Sequence, residues 1–190
     1  MEESQPKKKK NVLNNLIFLG IILLLLIPQT RFYFQWGVNK IIGQFSPSIN
    51  VTESQGLLVD YQWQLRDLNG QQLAFDELKG EVLFVSFWAT WCPPCVAEMP
   101  SIAALHNEYK DSVKFVLVSS EAPEKVQRFF DQKNYKLNSF SPLTTPPELL
   151  QSNSLPTTFI IARDGNIVVK KTGAANWNAD NVKKALNQLL

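Results

Sequence analysis

The chain has 190 residues with 45% hydrophobic side chains, which suits one globular domain with appended segments and excludes two large domains or wholesale disorder. Four lysines and two glutamates among the first ten residues account for the net charge of +2, so the remaining body is balanced and lacks the basic surface that nucleic-acid binding requires. The only cysteines, Cys92 and Cys95, are too few for a domain held by several disulfides or for a four-thiolate zinc site.

An uncharged stretch of twenty residues, 11–30, separates Lys10 from Arg31. As a helix it would be about 30 Å long, which matches the hydrocarbon thickness of a bilayer. The lysines before it favour a cytoplasmic amino terminus, with the rest of the chain exported. We therefore predict a basic cytoplasmic tail over 1–10 and a single transmembrane signal anchor over 11–30. A cleaved signal peptide is the alternative, although no small-x-small cleavage site follows Ile27.

The region after the anchor divides into a tether and a folded domain. Residues 31–56 have no strong hydrophobic period and are predicted to form an interfacial segment and a tether. The domain is predicted to span 57–190. It starts with a hairpin across Asn69-Gly70, a pair in which both residues favour positive φ, and the predicted strands are 57–65 and 71–75.

Strands and helices then alternate along the chain. Apolar runs and helical periodicity predict, in order, a strand at 81–88, helix 94–110, strand 113–119, helix 123–133, a short helix at 147–151, a second hairpin of 157–162 and 167–171 across Asp164-Gly165, and a closing helix at 179–190. This order indicates an α/β fold in which a central mixed sheet has helices on both faces.

The sequence Trp91-Cys92-Pro93-Pro94-Cys95 lies where a buried strand gives way to a helix. A helix amino terminus offers free N–H groups and a positive potential, and both stabilise a thiolate. Two cysteines three positions apart on a first helical turn can close into a disulfide and reopen. We expect Cys92 to be exposed and to attack, and Cys95 to face inward and to resolve the mixed disulfide.

Together with other residues, this motif resembles the thioredoxin superfamily and, within it, the membrane-anchored TlpA/ResA-like thiol-disulfide oxidoreductases. The resemblance covers roughly 57–190 and rests on 87–95 (FWATWCPPC), Glu98-Met99-Pro100, 155–159 (LPTTF) and Gly173. It implies a thioredoxin-like fold with an amino-terminal hairpin extension, and a cis Pro156 beside the cysteines. The surface that meets substrate would be shaped by Trp91, Pro93, Pro94, Leu155 and Pro156. For Trp91, packing against the domain is an equal alternative.

The resemblance also implies a function. The resemblance implies an enzyme that is tethered to the bacterial inner membrane, with its domain on the periplasmic or extracytoplasmic face. Such an enzyme exchanges dithiols and disulfides with proteins and uses no bound cofactor or metal. As a reductase it would act on apocytochrome c or other exported proteins and receive electrons from a membrane donor of CcdA/DsbD type. Ser86 stands where thioredoxin has a buried aspartate, and Pro93 replaces a glycine. The direction of electron flow therefore stays open, and a disulfide-introducing oxidant is an alternative.

Other interpretations of the two sulfurs are a static disulfide, a peroxiredoxin-type peroxidase and a copper(I)-handling module. A peroxidase is disfavoured because Ala89 stands where its Thr-x-x-Cys motif needs threonine, and the Cys-x-x-x-Cys pattern of copper proteins with this fold is lacking. His106 would lie about 16 Å from Cys95 along the helix, which favours an ordinary helix-face histidine. Glu98 is a candidate proton relay for the cysteines, but a solvated first-turn acid is the favoured interpretation.

Overall fold

In the computed structural model of this chain, residues 54–190 are described, together with Asn15, Phe18 and Leu19. The predicted cytoplasmic tail, the predicted anchor apart from those three residues, and the predicted tether up to residue 53 lie outside the described residues. Within the described part of the chain, no helix combines the length and the apolar character needed to cross a bilayer.

Seven strands and three α-helices make up the domain. The strands are β1 Gln64–Asp67, β2 Gln72–Ala74, β3 Val82–Phe87, β4 Val113–Val118, β5 Phe140–Pro142, β6 Thr157–Ile161 and β7 Ile167–Thr172. The α-helices are α1 Pro93–Tyr109, α2 Pro123–Lys133 and α3 Asp180–Leu189, and short 3-10 helices occupy Phe75–Leu78 and Glu148–Leu150. The strands form one sheet in the order β2-β1-β5-β4-β3-β6-β7.

The predicted mixed sheet is confirmed, with β3 at its centre. β3 pairs in parallel with β4 and antiparallel with β6, and β4 pairs in parallel with β5. Five of the six residues of β3 are buried, in agreement with a strand that is covered on both faces.

The prediction of helices on both faces is only partly right, because all three α-helices cover the same face. Phe84 of β3 shares its apolar cluster with buried residues of α1, α2 and α3. Its neighbours Leu83 and Val85 point to the opposite face, which is covered by Trp63 and by the two 3-10 helices. The physical reason is the strand order: two right-handed crossovers that step from β3 to β4 and from β4 to β5 place α1 and α2 on one side.

Two details of the strands differ from the prediction. The first predicted strand, 57–65, is regular only from Gln64, and Leu57 instead forms an isolated bridge with Asn166. β5 lies between the predicted helices 123–133 and 147–151, where no strand is predicted, because three residues that end in Pro142 give no periodic signal. β5 forms through its antiparallel pairing with β1, which joins the amino-terminal hairpin to the sheet.

Both predicted hairpins form, but their turns differ from the expected type. In the first, the Gly70 N–H donates to the Asp67 carbonyl at 3.1 Å, and the Asp67 N–H donates to the Gln71 carbonyl at 2.8 Å. This is a three-residue loop closed by a bulge, in which only Gly70 has positive φ, at +86°. The expectation of positive φ at Asn69 is therefore wrong. The second hairpin uses the same geometry, with Gly165 at φ +89°.

The turn at Gly165 is crossed by the start of the domain. The Gln55 N–H donates to the Ile167 carbonyl, and the Leu58 N–H donates to the Gly165 carbonyl, both at 2.8 Å. A Cβ atom on Gly165 would lie 2.6 Å from the Leu58 carbonyl oxygen, whereas a Cβ atom on Gly70 would meet nothing within 4 Å. The two glycines therefore share a backbone conformation but differ in their surroundings.

We expect Gly165→Ala to destabilise the protein more than Gly70→Ala does. Both changes force a side chain into the left-handed region, at a cost of about 1–2 kcal/mol. Gly165→Ala adds the clash with Leu58, which should lower the free energy of unfolding by about 1–3 kcal/mol more. Urea unfolding of the full chain and its two variants measures the difference. If both variants lost the same free energy of unfolding, the segment 55–58 would be able to move away from the new side chain at no cost in stability.

Candidate active site

The two cysteines are joined in a disulfide at the amino terminus of α1. Their Cα atoms are 5.3 Å apart. Cys92 is the N-cap residue, and Pro93 and Pro94 occupy the first helical positions, where the missing proline N–H groups are not needed for the helix. The Cys95 N–H donates to the Cys92 sulfur at 3.3 Å. An amide of the helix end therefore faces this sulfur, an arrangement that favours a thiolate once the disulfide is reduced.

The burial of the motif differs from the expectation. Cys92 is 3% exposed and Cys95 is fully buried, so the prediction of an exposed Cys92 is wrong for the disulfide form. The side chain of Cys92 joins the apolar cluster that also contains Trp88 and Ala89. Trp91 is instead 62% exposed, which contradicts the alternative that it packs against the domain. The indole ring of Trp91, and not the sulfur of Cys92, projects from this turn.

The Leu155–Pro156 peptide bond is cis, as the resemblance implies. Gly173 holds this loop, because its N–H donates to the Pro156 carbonyl at 2.9 Å. Leu155 and Trp91 line a mostly apolar cleft of about 310 Å³. The other residues of this active-site cleft are Phe87, Trp88, Ala89, Val118, Ser120, Glu121, Pro142, Pro146 and Ser152. The cleft offers apolar surface beside the cysteine motif.

The interpretation of Glu98 as a solvated first-turn acid is wrong, because its side chain is buried. Glu98 is 1% exposed and lies with Cys95 on the buried face of α1. Its Oε2 accepts the Trp177 Nε1–H at 3.0 Å and the Ala175 N–H at 3.1 Å, whereas Oε1 is buried with no hydrogen-bond partner among the described residues. Burial raises the pKa of Glu98 to about 8, although the bonds from Trp177 and Ala175 and the charge of Lys171 lower it.

The helical spacing could have indicated the burial of Glu98, since it lies three residues after Cys95 and four before Ile102, both of which are buried. Its donors could not have been found in this way, because Ala175 and Trp177 lie more than seventy residues away in the chain. Only the tertiary structure therefore reveals which groups hold the carboxyl.

Ser86 carries no charge at the position of thioredoxin's aspartate. Its hydroxyl lies 2.8 Å from the Thr158 hydroxyl in a hydrogen bond between β3 and β6, and both residues are buried. A buried carboxyl is nevertheless supplied near Cys95, by Glu98 from the helix instead of the strand.

His106 behaves as the expected helix-face histidine. Its ring packs edge-on against Phe115 with the ring centres 5.0 Å apart, on the side of α1 that faces the sheet. Burial lowers its pKa, and the charge of Lys110 lowers it further. The packing accounts for this side chain without a role in cysteine chemistry.

We expect Glu98→Gln to change how stability depends on pH. The pKa of Glu98 is about 8 in the folded protein against a usual value of 4.5, so between these values the folded state keeps a proton that the unfolded chain has lost. The contribution of Glu98 to stability is therefore complete below about pH 4.5 and is lost as the pH rises through about 8. Glutamine cannot ionise, so the stability of the variant does not fall in this way. As the pH rises from about 4.5 to about 8, the free energy of unfolding of Glu98→Gln should increase relative to that of the wild type, by more than about 1 kcal/mol in total.

Urea unfolding of the oxidised full chain at a series of pH values measures this gain. Glu77→Gln, at an exposed position, is the matched control and should follow the wild type at every pH. A constant offset between Glu98→Gln and the wild type would contradict the raised pKa.

Comparisons with known proteins find thiol-disulfide oxidoreductases among the relatives of this chain. The Redoxin family model matches residues 44–189 of this chain. The thiol-disulfide oxidoreductase ResA of Bacillus cereus is 31% identical over 169 residues, which cover 84% of this chain and 89% of that protein. ResA of Halalkalibacterium halodurans is 38% identical over 114 residues, which cover 57% of this chain and 64% of that protein, slightly less than two thirds of its length.

A solved structure supports the fold. The thiol:disulfide interchange protein of the thioredoxin family from Chlorobium tepidum matches with a TM-score of 0.56 at 22% identity, covering 70% of this chain and 99% of that one. At this level of identity the likeness extends to the thioredoxin-like architecture alone.

Proposed function

Because this chain belongs to the Redoxin family, and within it to the ResA-type thiol-disulfide oxidoreductases, we propose that it reduces disulfides of exported proteins from a membrane anchor. It is a thioredoxin-like disulfide oxidoreductase whose substrates are protein thiols and disulfides. The observation that carries the proposal is the Cys92–Cys95 disulfide at the amino terminus of α1. The cleft beside this disulfide, walled by Trp91 and Leu155, supports a polypeptide substrate.

In the proposed reaction the reduced protein gives two electrons to its substrate. The Cys92 thiolate attacks one sulfur of a substrate disulfide, that S–S bond breaks, and the other substrate sulfur leaves as a thiolate that takes up a proton. The Cys95 thiolate then attacks the Cys92 sulfur and releases the second substrate thiol. The protein is left with the Cys92–Cys95 disulfide, the state in which the structure describes it. A membrane dithiol of CcdA/DsbD type would reduce this disulfide again.

Glu98 is the proposed proton acceptor for Cys95. The two side chains lie one helical turn apart on the same buried face of α1. Burial raises the pKa of Glu98 to about 8, so this carboxyl can take up and hold a proton near neutral pH. An ionised Glu98 and a Cys95 thiolate would repel each other as like charges, so Glu98 is expected to carry the proton when Cys95 is ionised.

The direction of electron flow is tested by the reduction potential of Cys92–Cys95 in the full chain. Titration against dithiothreitol, followed by alkylation of free thiols, should give a value near about −270 mV, as in thioredoxin. Such a potential would let the reduced pair reduce protein disulfides. A value near about −120 mV would overturn the reductase proposal in favour of an oxidant that introduces disulfides.

The roles of the cysteines are tested with matched serine variants in the same preparation. Cys95→Ser leaves Cys92 free to attack but removes the resolving sulfur, so a mixed disulfide with a substrate protein should accumulate on a non-reducing gel. Cys92→Ser should give none. If a mixed disulfide accumulated with Cys92→Ser but not with Cys95→Ser, the roles of the attacking and resolving cysteines would be reversed.

The anchor over 11–30 and the periplasmic location are further parts of this proposal, supported by the uncharged stretch and the lysines before it. Replacing Leu24 and Leu25 together by arginine should release the chain from membranes in alkaline carbonate, since each charge costs about 2.5–3.5 kcal/mol at the centre of a membrane helix. Gln29→Arg, near the end of the stretch, is the matched control and should stay membrane-bound. Release of the wild type, or a chain shortened near Ile27, would contradict the anchor.

Apocytochrome c is the proposed substrate among exported proteins. This choice is supported by the resemblance to the TlpA/ResA-like family, and the exposed Trp91 beside the active-site cleft provides a surface for an unfolded polypeptide.

A further inference from the structure

An acidic side chain outside the cysteine motif is bonded to the turn that carries Cys92. Glu121 lies between β4 and α2, and its side chain is 9% exposed. Its Oε2 accepts the backbone N–H of Thr90, and its Oε1 accepts the Thr90 hydroxyl at 2.9 Å. Both oxygens of one carboxylate therefore hold a residue that stands two positions before Cys92.

The surroundings of Glu121 keep it ionised. The Lys125 Nζ lies 2.5 Å from Oε1 of Glu121. Burial raises the pKa of Glu121, but the hydrogen bonds from Lys125 and from both groups of Thr90 outweigh burial and leave the pKa below its usual range. The group is a carboxylate at neutral pH, and an ionised oxygen is the stronger hydrogen-bond acceptor.

The bonds to Thr90 complete a series of contacts along the turn from Trp88 to Cys92. At its start the Trp88 N–H donates to the Val118 carbonyl at 2.9 Å, and at its end the Cys92 N–H donates to the Ala89 carbonyl at 3.2 Å. Glu121 binds the turn between these two points. The position of the backbone that leads into Cys92 therefore depends on a residue from a different loop.

We propose that Glu121 is a positioning residue for disulfide exchange at Cys92. Glu121 lines the active-site cleft together with Trp91, so one carboxylate sets both a wall of the cleft and the approach to the attacking sulfur. An error of about 1 Å in the position of reacting atoms can cost about 100-fold in rate, so the loss of such a contact should be visible in kinetics. The inference rests on the proposed role of Cys92 and adds to it a residue outside the cysteine motif.

The test measures the rate of exchange between the full chain and a peptide with two cysteines, in both directions. Glu121→Ala removes both acceptors and should slow exchange about tenfold in each direction, because forward and reverse reactions share one transition state. The equilibrium constant for exchange, and thus the reduction potential, should stay unchanged.

Two variants separate positioning from a general loss of structure. Glu121→Gln keeps the shape of the side chain and one acceptor oxygen, so it should recover most of the rate. Glu108→Ala breaks a surface ion pair with Lys183 on another part of the domain and should exchange at the wild-type rate. Thermal unfolding of each variant would show any loss of folded protein.

The outcomes also separate this inference from the proposed function. A wild-type equilibrium that favours peptide oxidation would overturn the reductase proposal, yet an equal slowing of both directions by Glu121→Ala would still support positioning. Unequal slowing with a shifted equilibrium would overturn the inference, since Glu121 would then act on the stability of the disulfide. Unchanged rates in Glu121→Ala, or no exchange by the wild type in either direction, would also overturn it.

Discussion

The arrangement of the site depends on the pairing of β3 with its two neighbours. Phe87, the last residue of β3, is paired with Val118 of β4 on one side and with Thr157 of β6 on the other. The turn that leads to Cys92 follows Phe87, the connection that contains Glu121 follows Val118, and Pro156 immediately precedes Thr157. This strand register therefore brings three loops together at the same end of β3, β4 and β6. A slip of one residue would exchange the buried faces of the strands, which the apolar clusters on both sides oppose.

Two glutamates near the cysteines have opposite electrostatic environments. Glu98 is buried on α1 with one oxygen lacking a partner, and burial raises its pKa to about 8. Glu121 is held by Lys125 and Thr90, which lower its pKa in spite of burial. Environments that push the pKa values of two carboxyl groups apart suit them to different tasks. The raised pKa lets Glu98 hold a proton near neutral pH, whereas Glu121 stays charged and binds the backbone of Thr90.

The burial of Cys92 in the disulfide form relates to the same loops. Its sulfur lies in the apolar cluster at the end of α1, and the exposed side chain of the turn is Trp91. Trp91 and Leu155 line the active-site cleft, and neither cysteine is among its lining residues. The proposed positioning role of Glu121 rests on its bonds to Thr90 in this turn.

Local pattern in the sequence predicted most of the secondary structure and the cysteine motif. α2 begins and ends where its apolar period predicts, and both hairpins form at the predicted glycines, because periodicity and turn chemistry depend on neighbours in the chain. The resemblance indicated the cis bond before Pro156, which no local rule predicts.

Tertiary structure alone decided the features that depend on distant residues. β5 forms because β1 pairs with it, and Glu98 is held because Ala175 and Trp177 donate to it from the loop before α3. The bond between Glu121 and Thr90 joins residues thirty-one positions apart. Burial and hydrogen bonding across such separations are set by how the strands pair and the helices pack. The sequence by itself therefore determined most of the elements and the reactive pair, and the packing decided the environment of that pair.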